Sequence, residues 1–460
     1  MRTSGIALLA VLSLLGLSPW ALAQDSHYWT NQYGSRATLL GGAVIGSVLD
    51  LSGTYYNPGG LSLIEKPQKV LAASVLRYPR VTLAGTQPRS VPLNSYNLGP
   101  APILLAGTIR IRGLHDHWFG YSYVARQSFK LGLSTSAAGT ADVLPAYAGL
   151  EDYVTQFRLD EKLAEAWFGL TWSYKVSKHV GIGVTQYIAY RTHQANVQEL
   201  AEAQNDGHSL GTALGTRQYY YYHVRVLWKV GLACDFHILT LGLTLTSPSL
   251  AIAGRGASGV NSSLAGLDMT GDKVADDYLA ANYQDHLPVT YATPFSLAAG
   301  VTFKIRKVRL YGSAEWFAQV RPYTVVDAVP FAAQSTGEIL STDVTQELSS
   351  VLNWGVGVEW FYSARFKGYA SLTTDYSAKK AGTTTNLALT DWNILHLVTG
   401  GEFLIKKTSL TVGGGVSFGG RQVGLHPDVL ARSGLGVVWD PFAGLKFHYT
   451  CYILIVGFAI

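Results

Sequence analysis

The sequence predicts an all-β chain, a transmembrane antiparallel β-barrel of about fourteen strands with an N-terminal hatch. Three observations predict it: an export signal, a two-residue alternation of apolar and polar side chains, and a regular exchange of long and short connections.

The export signal comes first in the chain. Arg2 supplies the positive start, residues 6–17 are an apolar run too short to span a bilayer, and Ala21 and Ala23 give the small-x-small cleavage pattern, so residues 1–23 read as a signal peptide. No later stretch reaches the roughly 18 uninterrupted apolar residues of a membrane helix. The composition agrees with strands: 48% of the 460 residues are hydrophobic and 14% charged, with 27 Tyr, 11 Trp and 49 Gly. A net charge of +5 spread over scattered basic residues of an exported chain argues against a nucleic-acid partner. Two cysteines in so long a chain cannot form a disulfide framework.

Alternation then places the strands. Leu239, Leu241, Leu243 and Leu245 lie opposite Thr240, Gly242, Thr244 and Thr246; Ala164, Ala166, Phe168, Leu170, Trp172 and Tyr174 lie opposite Glu165, Trp167, Gly169, Thr171, Ser173 and Lys175. Tyr220, Tyr222, Val224, Val226, Trp228, Val230 and Leu232 form an apolar face with aromatic ends, and His223, Arg225 and Lys229 fall on the other. Strands are expected at 69–78, 102–112, 117–130, 163–175, 179–191, 219–232, 237–253, 289–304, 307–318, 350–362, 366–377, 392–405, 408–419 and 437–458. Long connections at 79–101, 131–162, 192–218, 254–288, 319–349, 378–391 and 420–436 alternate with short turns, the asymmetry of an outer-membrane barrel with both termini in the periplasm. The apolar set shifts parity between Tyr449 and Tyr452, which predicts a bulge near Thr450. In this order Cys234 and Cys451 fall on nearly opposite walls, too far apart for a disulfide's Cα separation of about 4.4–6.8 Å, so both should be free thiols.

Upstream of the strands, Gly41, Gly42, Ala43 and Gly46 lead to Asn57-Pro58-Gly59-Gly60-Leu61, a compact stretch with little side-chain bulk. Residues 24–66 read as the hatch and 67–460 as the barrel.

Chemistry is scarce. Gly415, Ser417 and Gly419 fit a Gly-x-Ser-x-Gly pattern, but Leu410, Val412, Val416 and Phe418 put it inside a strand, where no strand-to-helix elbow exists, so Ser417 reads as a structural serine facing the lumen. No His-Glu-x-x-His pair, Cys-x-x-Cys or dinucleotide loop is present, so no enzyme, metal or cofactor is expected. Arg225 is the sharper candidate, because a charge within the membrane needs a partner. Either it pairs with inward Glu165, Glu315, Glu359 or Glu402, or with His223 it meets a ligand carboxylate. Lys175 and Arg309 lie near turns and are expected to be solvated. The stretch 149–163, with Tyr153, Val154, Phe157 and Leu159, is expected to form a short helix over a ligand groove, Phe157 facing the ligand.

The stretch 57–61, the run Thr246-Ser247-Pro248-Ser249-Leu250 with Gly254-Arg255-Gly256, and the run from Thr293-Pro294-Phe295-Ser296 to Val301 with Gly312-Ser313-Ala314-Glu315-Trp316 resemble the FadL/TodX family of hydrophobic-compound transporters over the whole mature chain. The resemblance implies a hatch motif at Asn57, Pro58 and Gly59, with Gly59 where the family has Ala, and a kink in the third strand around 120–126. It implies passive uptake of fatty acids or other hydrophobic molecules across the outer membrane, with capture by outer loops amid lipopolysaccharide, hatch gating, sideways release and a monomeric protein. The final Ala459-Ile460 departs from the aromatic ending usual for such barrels. Two other classes fit an exported barrel: a diffusion porin, which would lack a plug, and a structural or adhesive barrel binding a partner through its loops.

Overall fold

The computed structural model describes the chain apart from residues 1–25, 48–49, 65–68, 85–92, 97–98, 110, 112, 115, 142–147, 206–207, 268–273, 275, 380–391 and 424–444. The expected signal peptide, most of the connection at 420–436 and the first part of the last expected strand lie outside the described residues.

Fourteen antiparallel strands form a closed barrel. They are β1 (Val70–Ala84), β2 (Leu93–Tyr96 and Gly99–Ile109), β3 (His117–Ala141), β4 (Glu151–Ser177), β5 (Val180–Asn205), β6 (His208–Phe236) and β7 (Leu239–Thr246 and Leu250–Leu267). There follow β8 (Asp276–Pro288 and Ser296–Ile305), β9 (Val308–Phe317), β10 (Val351–Phe361), β11 (Phe366–Asp375), β12 (Ile394–Ile405), β13 (Thr408–Val423) and β14 (Leu445–Ala459). Each strand pairs with its sequence neighbour, and β14 returns to β1 from Leu71↔Ala459 to Ala84↔Lys446. The terminal residue takes part in closure: Ile460 N–H donates to the Val70 carbonyl and its own carbonyl accepts from Lys69 N–H. Pairing the last strand with the first leaves the sheet no free end strand in hydrocarbon, which is why the bilayer admits this fold.

Within the belt the apolar face points outward. Leu241, Leu243 and Leu245 are exposed while Thr240, Thr244 and Thr246 are buried, so the outer surface is oily and the lumen polar. Trp360 and Tyr362 lie exposed beside the short turn at 362–365, and Tyr190, Tyr220 and Trp316 mark the opposite rim, the two aromatic girdles of a spanning barrel.

Beyond the outer rim the parity inverts. On β4 the buried side chains become Phe157, Leu159 and Leu163, and the outward ones Arg158, Asp160 and Lys162. Strand ladders therefore continue far past the membrane where the sequence reading expected loops at 131–162, 192–218 and 254–288: β4 pairs with β5 out to Asp152↔Gln204, and β7 with β8 out to Leu267↔Asp276. The expected helix at 149–163 is overturned for the same reason, since its alternation is that of a strand facing a protein interior. The expected bulge near Thr450 is absent as well. The β1–β14 register runs unbroken through Arg80↔Thr450, and Tyr449 is buried beside Trp392 on the lumen side, so the parity change reflects an apolar lumen face. Two expected strands, 237–253 and 289–304, are each interrupted, at 247–249 and at 289–295.

The lumen is occupied. Residues 26–47 and 50–61 are buried almost throughout, as helices α1 (Ser35–Leu39) and α2 (Gly53–Tyr56) and a 3-10 turn, Pro58–Leu63. The connection between β9 and β10 folds as two small hairpin pairs, Val320–Val326 with Val344–Leu348 and Phe331–Ala332 with Ile339–Leu340. Val325, Val326 and Val344 pack on Tyr219, Tyr221 and Leu287, against the lumen side of the extended wall.

Candidate functional site

Three adjacent strands bring the charged cluster together by register. Glu165 on β4 lies opposite Arg191 on β5, and Arg191 lies opposite His223 on β6, so one cross-strand row carries all three; Arg225 is two residues along β6 on the same face. Arg191 Nη1 donates to Glu165 Oε2 (2.9 Å) and to Gln127 Oε1 (2.7 Å), and its Nε to Tyr221 Oη (3.0 Å). Arg225 Nη2 donates to Glu165 Oε1 (2.5 Å) and its Nε to Thr293 Oγ1 (2.8 Å). Trp167 Nε1 donates to the same carboxylate. The Tyr291 ring covers both guanidinium groups, 4.0 Å from Arg191 and 4.9 Å from Arg225.

Of the four glutamates open to Arg225, the structure supplies Glu165. Glu315 instead accepts from Trp29 and Ser296, Glu359 pairs with Arg36, and Glu402 with Lys367. Arg309 is not simply solvated, as it stands 3.6 Å from Glu359 and covers the Phe361 ring. Two buried guanidinium groups share one carboxylate, however, so the cluster keeps a net positive charge in a place where desolvation is costly. Arg191 Nη2, Arg225 Nη1 and both ring nitrogens of His223 are buried with no hydrogen-bond partner among the described residues. Buried donors in that state favour an acceptor such as a carboxylate oxygen. Arg191 and Tyr291 were missed by sequence reading. Arg191 had a signal, its alternation with Tyr187 and Ala189, whereas Tyr291 belongs to a break that looked like strand.

Phe157 does not join this cluster. It lies on β4 eight residues outward of Glu165, about 26 Å at strand rise, where Leu159, Leu163 and Leu131 form an apolar wall with it. Along the lumen side of the wall an apolar outer stretch thus gives way to the cationic cluster, and beyond that cluster to the N-terminal segment. Lys229 Nζ sits 4.1 Å from the Tyr55 ring at the junction.

Asn57, Pro58 and Gly59 hold that segment on the wall. Asn57 Nδ2 donates to the carbonyls of Ile45 (3.0 Å) and Leu232 (2.9 Å), and its Oδ1 accepts from Gly59 N–H (3.1 Å), capping the 3-10 turn. A Cβ on Gly59 would meet the carbonyl oxygens of Gly231 at 2.6 Å and Gly181 at 2.7 Å. Glycine at the position where the resembled family has Ala is thus a steric requirement of this seat. Lumen hydroxyls complete the docking: Thr185 Oγ1 and Tyr187 Oη donate to the Thr54 carbonyl and Thr244 Oγ1 to that of Tyr56, each at 2.8 Å.

Ser417 is buried within β13, its Oγ 2.6 Å from His396 Nδ1, and His396 Nε2 lies 3.9 Å from Asp375. That carboxylate is already engaged by Trp29 N–H and Thr30 Oγ1. A buried strand serine with its acid partner tied to the N-terminal segment is a fastening, with no elbow to present a nucleophile. No group of metal-ligating side chains occurs among the described residues. Cys234 and Cys451 are both free thiols.

In the wall itself two irregularities stand out. The β2–β3 ladder ends at Leu104↔Val124 although β3 continues to Ala141, and the β3–β4 register shifts between Ala125 and Gln127, leaving Arg126 bulged at the outer end of the span where the resemblance implied a kink. The other is the double interruption of β7 and β8.

No family model and no curated protein matches the chain. Solved structures do. A Pseudomonas aeruginosa FadL homologue aligns with a TM-score of 0.56 at 13% identity over 94% of this chain and 98% of that one. The P. putida toluene transporter TodX gives 0.56 at 12% over 93% and 98%, and the CymD monoaromatic hydrocarbon channel 0.54 at 9% over 93% and 97%. With the strand count, the closure and the occupied lumen, these alignments show that the chain has the FadL/TodX-type transporter fold.

Proposed function

We propose that the protein is a passive transporter of hydrophobic compounds in the bacterial outer membrane. The observation that carries this reading is the lumen: apolar Phe157, Leu159 and Leu163 line its outer wall, a cationic cluster follows, and the N-terminal segment fills the space beneath. A porin would leave an aqueous channel there, and an adhesive barrel has no use for an apolar inner wall. The segment 24–66 is the hatch, and its movement opens the way on. Sideways release at the β2–β3 seam is supported by the early end of that ladder and the bulge at Arg126. A hydrocarbon leaving there enters lipid without crossing water.

Ligands are hydrophobic small molecules, with fatty acids favoured because Arg225 and Arg191 outnumber Glu165. No chemistry is assigned to the chain. The deciding experiment is radiolabelled uptake by cells lacking their own such transporters: expression of this chain should accelerate entry of palmitate or toluene but not of a hydrophilic sugar. Sugar entry rising equally would make it a porin, and no acceleration of any solute would leave the adhesive reading.

A further inference from the structure

The wall between β7 and β8 comes apart within the belt. Their ladder runs to Thr246↔Ser296 and resumes only at Arg255↔Pro288, and no main-chain hydrogen bond among the described residues joins 247–254 to 289–295. Pro248 and Pro294, one in each interruption, lack the N–H a ladder needs. Among the described residues one polar link crosses the seam, Ser249 Oγ accepting from Thr293 N–H at 2.9 Å.

The two strands behave differently. Residues 289–295 leave the wall for the lumen, where Tyr291 covers the two arginines, Thr290 N–H donates to the Val325 carbonyl and Ala292 N–H to Tyr323 Oη. The strand β7 stays in the wall. From Leu250 to Ala253 every side chain is exposed, Leu250 60% and Ile252 61%, so both faces of this stretch are open. An unpaired strand edge in hydrocarbon is too costly to persist unless it lines a cavity that water or a ligand enters.

What lies behind the seam is specific. Ala251 is paired with Arg225, and Gly254 with His223. The His223 ring packs onto Gly254, whose added Cβ would meet His223 Cδ2 at 2.8 Å and the Val289 carbonyl at 2.9 Å, so the glycine makes room for the ring at the gap. His223, with both nitrogens unpartnered and its ring fully buried, stands with Arg225 Nη1 at the inner mouth.

We propose that the β7–β8 gap is a second opening in the wall, distinct from the β2–β3 seam, through which an anionic amphiphile with one acyl chain moves between the outer leaflet and the lumen. Its carboxylate meets Arg225 and His223 while its chain trails past Leu250 and Ile252 into lipid. This opening presupposes the transporter reading and adds a route and a ligand charge to it.

The test uses full-length protein in liposomes holding a diazirine-bearing palmitate or the matched hexadecanol, with cross-linked peptides read by mass spectrometry. Palmitate should label 250–254 and 289–295 several-fold more than the equally lipid-facing Leu241, Leu243 and Leu245, and hexadecanol should show no such preference. Arg225→Gln should bring the palmitate preference down to that of hexadecanol, because it removes the charge-assisted hydrogen bond. Ala251→Trp, which fills the gap and leaves the charges alone, should abolish labelling of 250–254 while toluene uptake persists. Uniform labelling of the belt, or equal preference for acid and alcohol, overturns the proposal. Loss of toluene uptake in unaltered protein would instead count against the transporter reading.

Discussion

The two ends of the lumen are built on opposite principles. Toward the short turns the inward side chains are small or hydroxylic, Gly181, Gly183, Thr185, Gly231, Thr240 and Gly242, and a folded segment of the same chain fills the space. Toward the outside they are Phe157, Leu159, Arg191, Tyr221 and Arg225, and the connection between β9 and β10 packs against that part of the wall. Small side chains let a backbone come within touching distance of a wall, whereas large ones and unspent charges line a place meant for something smaller than a protein segment. On the proposed function, the difference separates closing the barrel from selecting what enters it.

The largest expected effect breaks the comparison at its lower end. Deleting residues 24–61 removes the filling while every barrel ladder remains, so the folded barrel should conduct ions as an open pore in planar bilayers, where the intact chain stays closed. Unchanged conductance would mean the segment does not seal the lumen.

A milder wedge should act at the same place. Gly59→Val drives a branched side chain against the carbonyls of Gly231 and Gly181, an overpacking cost of about 1–3 kcal/mol, and it falls on docking of the segment while the strands keep their pairing. Conductance bursts should become frequent while the heat-induced shift in gel mobility, which reports barrel unfolding, changes little. If both stay as in the parent, the seat has slack that the geometry denies.

At the upper end, Arg225→Ala should weaken binding of palmitate by about 1.5–3 kcal/mol, tenfold or more, and leave a matched alkane nearly unaffected. Titration into detergent-solubilised protein measures both. Equal losses would confine Arg225 to its pairing with Glu165 and favour a neutral hydrocarbon as ligand.

The same contrast explains what sequence could and could not reveal. Strand count and neighbour order were legible because the belt enforces apolar-out alternation, as in Leu239 to Thr246. The rule reverses once strands rise above the rim. Phe157 and Leu159 then face in and Arg158 and Asp160 face out, so a period-two pattern survives with no oily outer face, and ladders at 151–162 and 192–205 resemble loops. The misplaced bulge at Thr450 has the same origin, since Tyr449 turns toward Trp392. Parity narrowed the partner of Arg225 to four inward glutamates, and the strand register selects Glu165 among them. Tyr291 was not, because leaving the wall depends on Pro294 acting together with contacts to Val325 and Tyr323 that lie more than thirty residues away.

The smallest effect expected is a pH dependence of the lower closure. His27 is buried in the N-terminal segment, its Nε2 2.8 Å from the Trp392 carbonyl, and desolvation lowers its pKa below 6.5, although Asp375 pulls the other way and His396 adds to the lowering. A histidine held neutral stabilises its docked state fully above the unfolded value and loses that contribution as pH falls through 6.5 toward the lowered value, because the released segment binds the proton more readily. Acid should therefore loosen the segment. Conductance events at pH 5 should exceed those at pH 7 in the parent chain, and His27→Gln, which keeps a donor for Trp392 but cannot titrate, should flatten the dependence. A His27→Gln protein with the parent's full acid response would move the effect to another group.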